Sequence, residues 1–318
     1  MKGAAARLRI ARACAALAAA ALSCAPAHDV QTLYGDLQSN DIEVRQDTQE
    51  KIETIIRKGD YEVFVRGAES PVKTYRAPSM LYLARMEQPA ARAALRDLLR
   101  VGRRSMIPYN PIRMKPSSEE TDSRILVAHL IHLNGGDPEA LNLLLDGVEG
   151  QPAEVLAGTC YALGALRDAG GIPFLAGAAR HPDVEVVRAA AQALGVFRAP
   201  EAIEALKPLL DHPSLEVRSE TLSALQLQED PAVIDLFKRM AISDPAPEIR
   251  SAATIQLARF KDPAAVSFLI EQLKGRDPAG RESALGALRI LSGQSFGAHP
   301  DQWSRWWDEN RKQLPSRP

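Results

Sequence analysis

Between Pro182 and Leu288 the chain repeats itself every 31 to 33 residues, and that period confines it to a repeat architecture. Proline returns at Pro182, Pro213, Pro245 and Pro278. Leucine returns in phase at Leu163, Leu194, Leu225, Leu257 and Leu288, preceded by Ala162, Ala193 and Ala224. Two further apolar columns keep the register: Ile172, Ile203, Ile234 and Val266, then Leu175, Leu206, Phe237 and Leu269. A unit this short buries its apolar face only by stacking on its neighbours.

Each unit reads as two helices. The first begins after Ala199-Pro200, Asp230-Pro231 or Asp262-Pro263, where proline suits a first turn whose N–H has no helical partner. It carries Ile203 with Leu206, Ile234 with Phe237, or Val266 with Leu269, one turn apart on one face. The second begins after His181-Pro182, His212-Pro213, Asp244-Pro245 or Asp277-Pro278, with Glu185, Glu216 or Glu248 where the helix dipole favours negative charge. Few residues favour strands and no alternating run is long enough for a sheet, so the expected class is all-α.

The segments Pro213-Ser214-Leu215-Glu216-Val217-Arg218 and Pro245-Ala246-Pro247-Glu248-Ile249-Arg250, each followed by an Ala/Leu-rich helix, resemble the second-helix signature of bacterial HEAT repeats. The resemblance is specific over residues 152–291 and implies an α-solenoid. The expected organisation is about eight helical pairs over residues 29–292, opening at Asp29, Tyr61, Pro89, Pro138, Ile172, Pro200, Pro231 and Pro263. At ~10 Å per helix layer the body would be about 80 Å long. Gly59 should close the second helix of the first pair, and Gly158 and Gly164 should let backbones approach closely. Pro78 should break the helix from Ser70 to Met86 near Ala77. Residues 102–118, with Pro108, Pro111 and Pro116, read as an inserted basic loop, and Ser117-x-x-Glu120 as a capping box for the next helix.

The resemblance extends to the C-terminus. Residues 293–318 hold Trp303, Trp306 and Trp307 after a Gly-containing link, similar to a terminal element that covers the last unit in bacterial HEAT proteins. The last repeat has no successor, and a tryptophan face is large enough to cover its apolar side. HEAT-like solenoids also include bilin lyases and alkylpurine DNA glycosylases, so an enzyme is the lesser alternative.

The first 23 residues contain no acid, carry Lys2, Arg7, Arg9 and Arg12, and then run apolar from Ala13 to Ser23. That is the pattern of a removable secretory signal, too short to span a bilayer, which needs ~20 apolar residues. Ala20-Ala21-Leu22-Ser23-Cys24 resembles a bacterial lipobox, implying cleavage before a lipidated Cys24, with 24–28 as a short linker to the solenoid. Ala25-Pro26-Ala27 offers the alternative of cleavage before His28 and a soluble exported protein. The first reading places the protein in the cell envelope, membrane-anchored on the periplasmic or surface side. Processing leaves 35 basic against 40 acidic residues, which argues against a nucleic-acid binder.

Candidate chemistry is sparse. Arg92, Arg96 and Arg100 fall at i, i+4 and i+8 of a helix expected from Pro89 to Val101, followed by Arg103, Arg104, Arg113 and Lys115, with Asp97 the one acid between Pro89 and Pro116. With Tyr109 as an apolar anchor, this segment is a candidate docking site for an acidic partner, an anionic lipid headgroup or an acidic polymer. Arg45, Arg188, Arg218 and Arg250, with Glu43, Glu185, Glu216 and Glu248 nearby, should form a ladder between adjacent second helices. Gly293-Gln294-Ser295-Phe296-Gly297 matches a nucleophile elbow but follows a helix where that motif needs a strand. His129 and His132 share a face without further metal ligands at usable spacing, and Cys160 reads as a small buried residue. No catalytic residue, metal, cofactor or small-molecule substrate is expected; a protein partner is, along the concave face or through the basic segment.

Overall fold

A computed structural model describes the backbone of residues 28–100, 106–110 and 115–312. The expected signal at residues 1–23, Cys24, Arg103, Arg104 and Arg113 lie outside the described residues. The chain divides into two compact units, Met1–Gly135 and Gly136–Pro318.

The first unit runs α1 (His28–Leu37), α2 (Ile42–Lys58), α3 (Glu62–Ala68), α4 (Lys73–Ala84), α5 (Pro89–Asp97), β1 (Met106–Asn110), β2 (Lys115–Asp122) and α6 (Ser123–Leu133). Asp41 starts α2 by accepting from the Glu43 N–H, and Gly59, left-handed at φ +77°, ends it. Ile52, Phe64, Met80, Leu83, Leu99 and Leu126 are buried in its core. Tyr34 stacks on Tyr75 at 5.0 Å and shares a 2.5 Å hydrogen bond with Ser79, and burial pushes the phenol's pKa well up.

Three expectations for this unit are corrected. The helix from Ser70 to Met86 is not broken near Ala77: α4 is continuous through Pro78. Starting at Lys73, it places Pro78 in its second turn, so the carbonyl that loses a donor belongs to Thr74, on the exposed first turn. Secondly, the expected loop at 102–118 contains strand: β1 and β2 pair antiparallel, with Met106 opposite Asp122, Ile107 opposite Thr121, Tyr109 opposite Pro116 and Asn110 opposite Lys115. Its prolines exclude helix, but the backbone groups of a part-buried segment still need partners, and the ladder supplies them. Ile107 is buried, Arg76 donates to the Met106 carbonyl at 2.9 Å, and Lys73 meets Glu120 at 2.6 Å, fastening the hairpin to α4. Thirdly, Ser117 and Glu120 lie in β2 and do not cap α6. Asp122 does so by accepting from the Arg124 N–H, and its carboxylate also meets the fully buried Arg124 guanidinium at 2.8 Å.

The second unit runs α7 (Ala140–Leu145), α8 (Ala153–Leu166), α9 (Ile172–Ala178), α10 (Val184–Gly195), α11 (Pro200–Leu206), α12 (Leu215–Gln226), α13 (Val233–Ser243), α14 (Pro247–Gln256), α15 (Pro263–Gln272), α16 (Pro278–Ser292) and α17 (Pro300–Asn310). The periodic columns are its core: Leu163, Leu194, Leu225, Leu257 and Leu288 are all 0% exposed, as are Leu175, Leu206, Phe237 and Leu269. The second helices α8, α10, α12, α14 and α16 pack successively on one another. A Cβ on Gly164 would stand 3.1 Å from the Cα of Ala193, and one on Gly195 2.7 Å from the Cα of Ala224. Small residues at these points set how closely α8, α10 and α12 approach.

The turns into the second helices share one device. His181 Nδ1 accepts from the Asp183 N–H at 3.0 Å and His212 Nδ1 from Ser214 at 3.1 Å, as Asp244 and Asp277 carboxylates do from Ala246 at 2.8 Å and Ala279 at 3.1 Å. Arg45, Arg218, Arg250 and, in the same register, Arg281 serve the same turns, which corrects the expected glutamate ladder at those positions, whereas Arg188 has Glu220 of the next second helix within electrostatic reach. Arg218 donates to the carbonyls of His212 and Pro213, Arg250 to those of Asp244 and Pro245, Arg281 to those of Gly275 and Arg276, and Arg45 to that of Ser39. Where an arginine reaches the next repeat, it reaches the turn aspartate: Arg218 meets Asp244 at 2.8 Å, both buried, and Arg250 approaches Asp277 at 3.9 Å. In the repeat before Arg218 this position is held by the buried Val187; Arg188 falls one residue later and pairs with Glu185 on its own helix at 2.7 Å.

Gly293, left-handed at φ +71°, ends α16 and starts the link to α17, which packs on α15. Trp303 and Trp307 are buried and Trp306 is half-buried. The Trp303 indole donates to the Gly297 carbonyl at 2.7 Å and meets the edge of Phe296 at 4.9 Å.

Candidate interaction surface

Each second helix of the second unit buries one side and leaves the other open among the described residues, because its packing partners are its own first helices and the second helices before and after it. Tyr161 on α8, Glu185 and Arg188 on α10, and Glu216 and Glu220 on α12 come together on that outward side. Arg188 lies within electrostatic reach of Glu185, Tyr161 and Glu220, and Glu216 in turn feels Arg188. Tyr161 and Glu220 are half-buried, and burial raises the pKa of both groups. The Ser214 hydroxyl, bonded to Glu216, holds that carboxyl below its usual value. Arg188 bonds to Glu185 through its terminal nitrogen, while its Nε is buried without an acceptor.

The sequence points to Glu185, Arg188 and Glu216 as ladder residues but not to Tyr161 and Glu220, although a signal exists for the position of the tyrosine. Tyr161, Gln192, Ser223 and Ile255 form a column spaced 31, 31 and 32, as regular as the core columns but varied in chemistry. A position that keeps the repeat's register without keeping its residue type faces outward, where packing does not restrict it.

The basic segment is more divided than its sequence implied. Arg92 is exposed on α5, and Arg96 is half-buried one turn later. Because α5 ends at Asp97, Arg100 falls in the following turn rather than in the expected helix, and it meets Asp97 at 3.1 Å. Tyr109 lies on β1 and Lys115 on β2, on either side of the hairpin turn.

Among the described residues no three His, Cys, Asp or Glu side chains are grouped to hold a metal ion; His129 and His132 are both half-buried on α6. Cys160 is fully buried, and burial pushes its thiol up to about 12, away from the reactive thiolate. Gly293 to Gly297 links two helices, without the strand that a nucleophile elbow requires.

Residues 141–226 and 205–289 match the family profile of HEAT repeats. No curated protein sequence matches the chain. Among solved structures, Kap95p in its complex with RanGDP aligns over 89% of this chain and 42% of its own, at 14% identity and a TM-score of 0.58. The CpcE and CpcF complex of phycocyanin lyase from Nostoc sp. PCC7120 aligns over 78% of this chain and 94% of its own, at 19% identity and a TM-score of 0.38. Human deoxyhypusine hydroxylase aligns over 77% and 100%, at 15% identity and a TM-score of 0.30. The last two superpose too loosely to bear on fold or activity. The periodic core and the stacked second helices make the second unit an α-solenoid, and residues 141–289 of it match HEAT repeats.

Proposed function

We propose that the protein is an exported, lipid-anchored bacterial scaffold that holds a partner protein on the outward face of its second helices and catalyses no reaction. That open face is the observation carrying the proposal: it continues from α8 to α16 while the opposite side of each helix is committed to the core. Repeat arrays present extended surfaces of this kind, and Kap95p, which shares the fold, takes a protein ligand. Export and anchoring rest on the basic, acid-free residues 1–23 and on Cys24 as the lipidated residue, acylated more than once because a single chain holds a membrane weakly.

Cross-linking in cells, affinity capture and mass spectrometry on the native chain and on Cys24→Ser test both parts. One partner cross-linked to the second helices, and captured only by the anchored form, supports the reading. A Cys24→Ser protein that fractionates as the native chain does overturns the anchor. Cross-links confined to the first unit overturn the choice of face. A second reading draws on Arg92, exposed on α5, with Arg96 one turn away: the basic segment binds anionic lipid or polymer. Salt-sensitive liposome binding that is lost on neutralising Arg96, Arg100 and Arg103 would favour it.

A further inference from the structure

We propose that the outward face of α8, α10 and α12, centred on Tyr161 and Glu220, docks a lysine- or arginine-bearing segment of a partner protein. The inference rests on the scaffold reading above and adds the chemistry of the partner.

Three carboxylates, of Glu185, Glu216 and Glu220, share this face with one guanidinium, that of Arg188. Arg188 is committed to Glu185, three residues earlier on the same helix, and leaves the face with a net negative charge. Elsewhere in this unit the signature arginines turn back onto carbonyls and turn aspartates, so they do not neutralise the second-helix face: Arg218 is buried against Asp244, and Arg250 and Arg281 cap the turns before their helices. The carboxylate of Glu220 is half-buried and, among the described residues, has only Arg188 as a positive neighbour. A group in that setting is expensive to hold ionised alone and gains most from a cation brought by a ligand. Tyr161 adds a half-buried aromatic ring with its hydroxyl near the same charges, a combination suited to the aliphatic stem and charged head of lysine or to a stacked guanidinium. Close packing at Gly164 and Gly195 brings the three helices near enough for one short segment to cross them all.

Fluorescein-labelled octa-arginine and octa-glutamate, titrated into the full chain with anisotropy as the readout, test the proposal at low and physiological salt. Glu185→Gln, Glu216→Gln and Glu220→Gln should each weaken octa-arginine binding about threefold, the typical weight of one exposed charge pair, and more than tenfold together. Arg188→Gln should tighten it, a gain that damage to the fold would not produce. A matching triple substitution on α2, Asp47→Asn, Glu50→Gln and Glu53→Gln, should leave it within twofold. Circular dichroism verifies that each variant is folded. Equal loss from both triple variants, weakening by Arg188→Gln, or preference for octa-glutamate would overturn the proposal. A cellular partner that cross-links to the second helices and is still captured when Glu185→Gln, Glu216→Gln and Glu220→Gln are combined would overturn this chemistry while leaving the scaffold reading intact.

Discussion

The contact between Arg218 and Asp244 ties two consecutive repeats, and removing one partner gives the sharpest test of how the array is held. Arg218 Nε lies 2.8 Å from Asp244 Oδ2 and Nη2 lies 3.2 Å from Oδ1, a two-pronged geometry with side chains 8% and 2% exposed. Asp244→Ala leaves a buried guanidinium without its anion, a change that costs about 3 to 5 kcal/mol. It also removes the acceptor for the Ala246 N–H, worth about 1 kcal/mol. Against this, the carbonyls of His212 and Pro213 still engage Arg218, which places the expected loss near the lower limit, about 3 kcal/mol. Asp244→Asn keeps a turn acceptor but no charge and should cost less. Arg218→Met combined with Asp244→Asn should recover most of the difference, because no buried charge is then stranded; the expected coupling is about 2 kcal/mol.

The readout should be local, since neighbouring repeats open without the whole array unfolding. Hydrogen exchange followed by mass spectrometry should show faster exchange in peptides from α12, α13 and α14, with α8 and α9 little changed. A loss below about 1 kcal/mol for Asp244→Ala, or a double-mutant coupling near zero, would place this pair with ordinary surface ion pairs and refute the reasoning.

Three further predictions address the core and the outward face. Gly195→Ala places a methyl 2.7 Å from the Ala224 Cα, a backbone atom, so α10 and α12 must separate, at about 1 to 3 kcal/mol in thermal or denaturant unfolding. An unchanged melting profile would mean that the helices slide freely. Cys160, fully buried with its thiol pushed up to about 12, should resist a disulfide reagent at pH 8 and label only in denaturant; stoichiometric native labelling would contradict the packing of α8. Burial raises the Glu220 carboxyl's folded-state pKa, so ionisation costs stability above its unfolded value, ~4.3. Glu220→Gln should therefore be the more stable protein at pH 7, with the advantage fading as pH falls through the raised folded-state value and gone below ~4.3; an advantage constant from pH 7 to pH 3 would refute the link to ionisation.

Sequence legibility was uneven for physical reasons. Leu163, Leu194, Leu225, Leu257 and Leu288 could be placed in the core from spacing alone, because close packing imposes the same demand in every unit and leaves a periodic record. The hairpin at Met106–Asp122 left no such record: β2 reads Lys-Pro-Ser-Ser-Glu-Glu-Thr-Asp, poor in strand-favouring residues, and its pairing is supported by Arg76, Lys73 and the pocket that takes Ile107. Tyr161, Glu185, Arg188, Glu216 and Glu220 sit on the one side of the second helices that packing leaves unconstrained. Their grouping depends on how three helices align in space.

What the sequence determined by itself was the repeat, its two helices per unit and the identity of its buried columns, since hydrophobic periodicity and proline placement act locally and recur. What only the tertiary structure decided was where the charges went. Arg218 and Arg250 occupy equivalent positions 32 residues apart, yet one is buried on Asp244 at 2.8 Å and the other stays partly exposed, 3.9 Å from Asp277. The difference lies in the next repeat's turn, where the Asp244 side chain is buried and that of Asp277 is half exposed. A charge finds its partner through space, and the partner's identity belongs to a neighbouring unit, so the fate of each arginine is set only when the repeats stack.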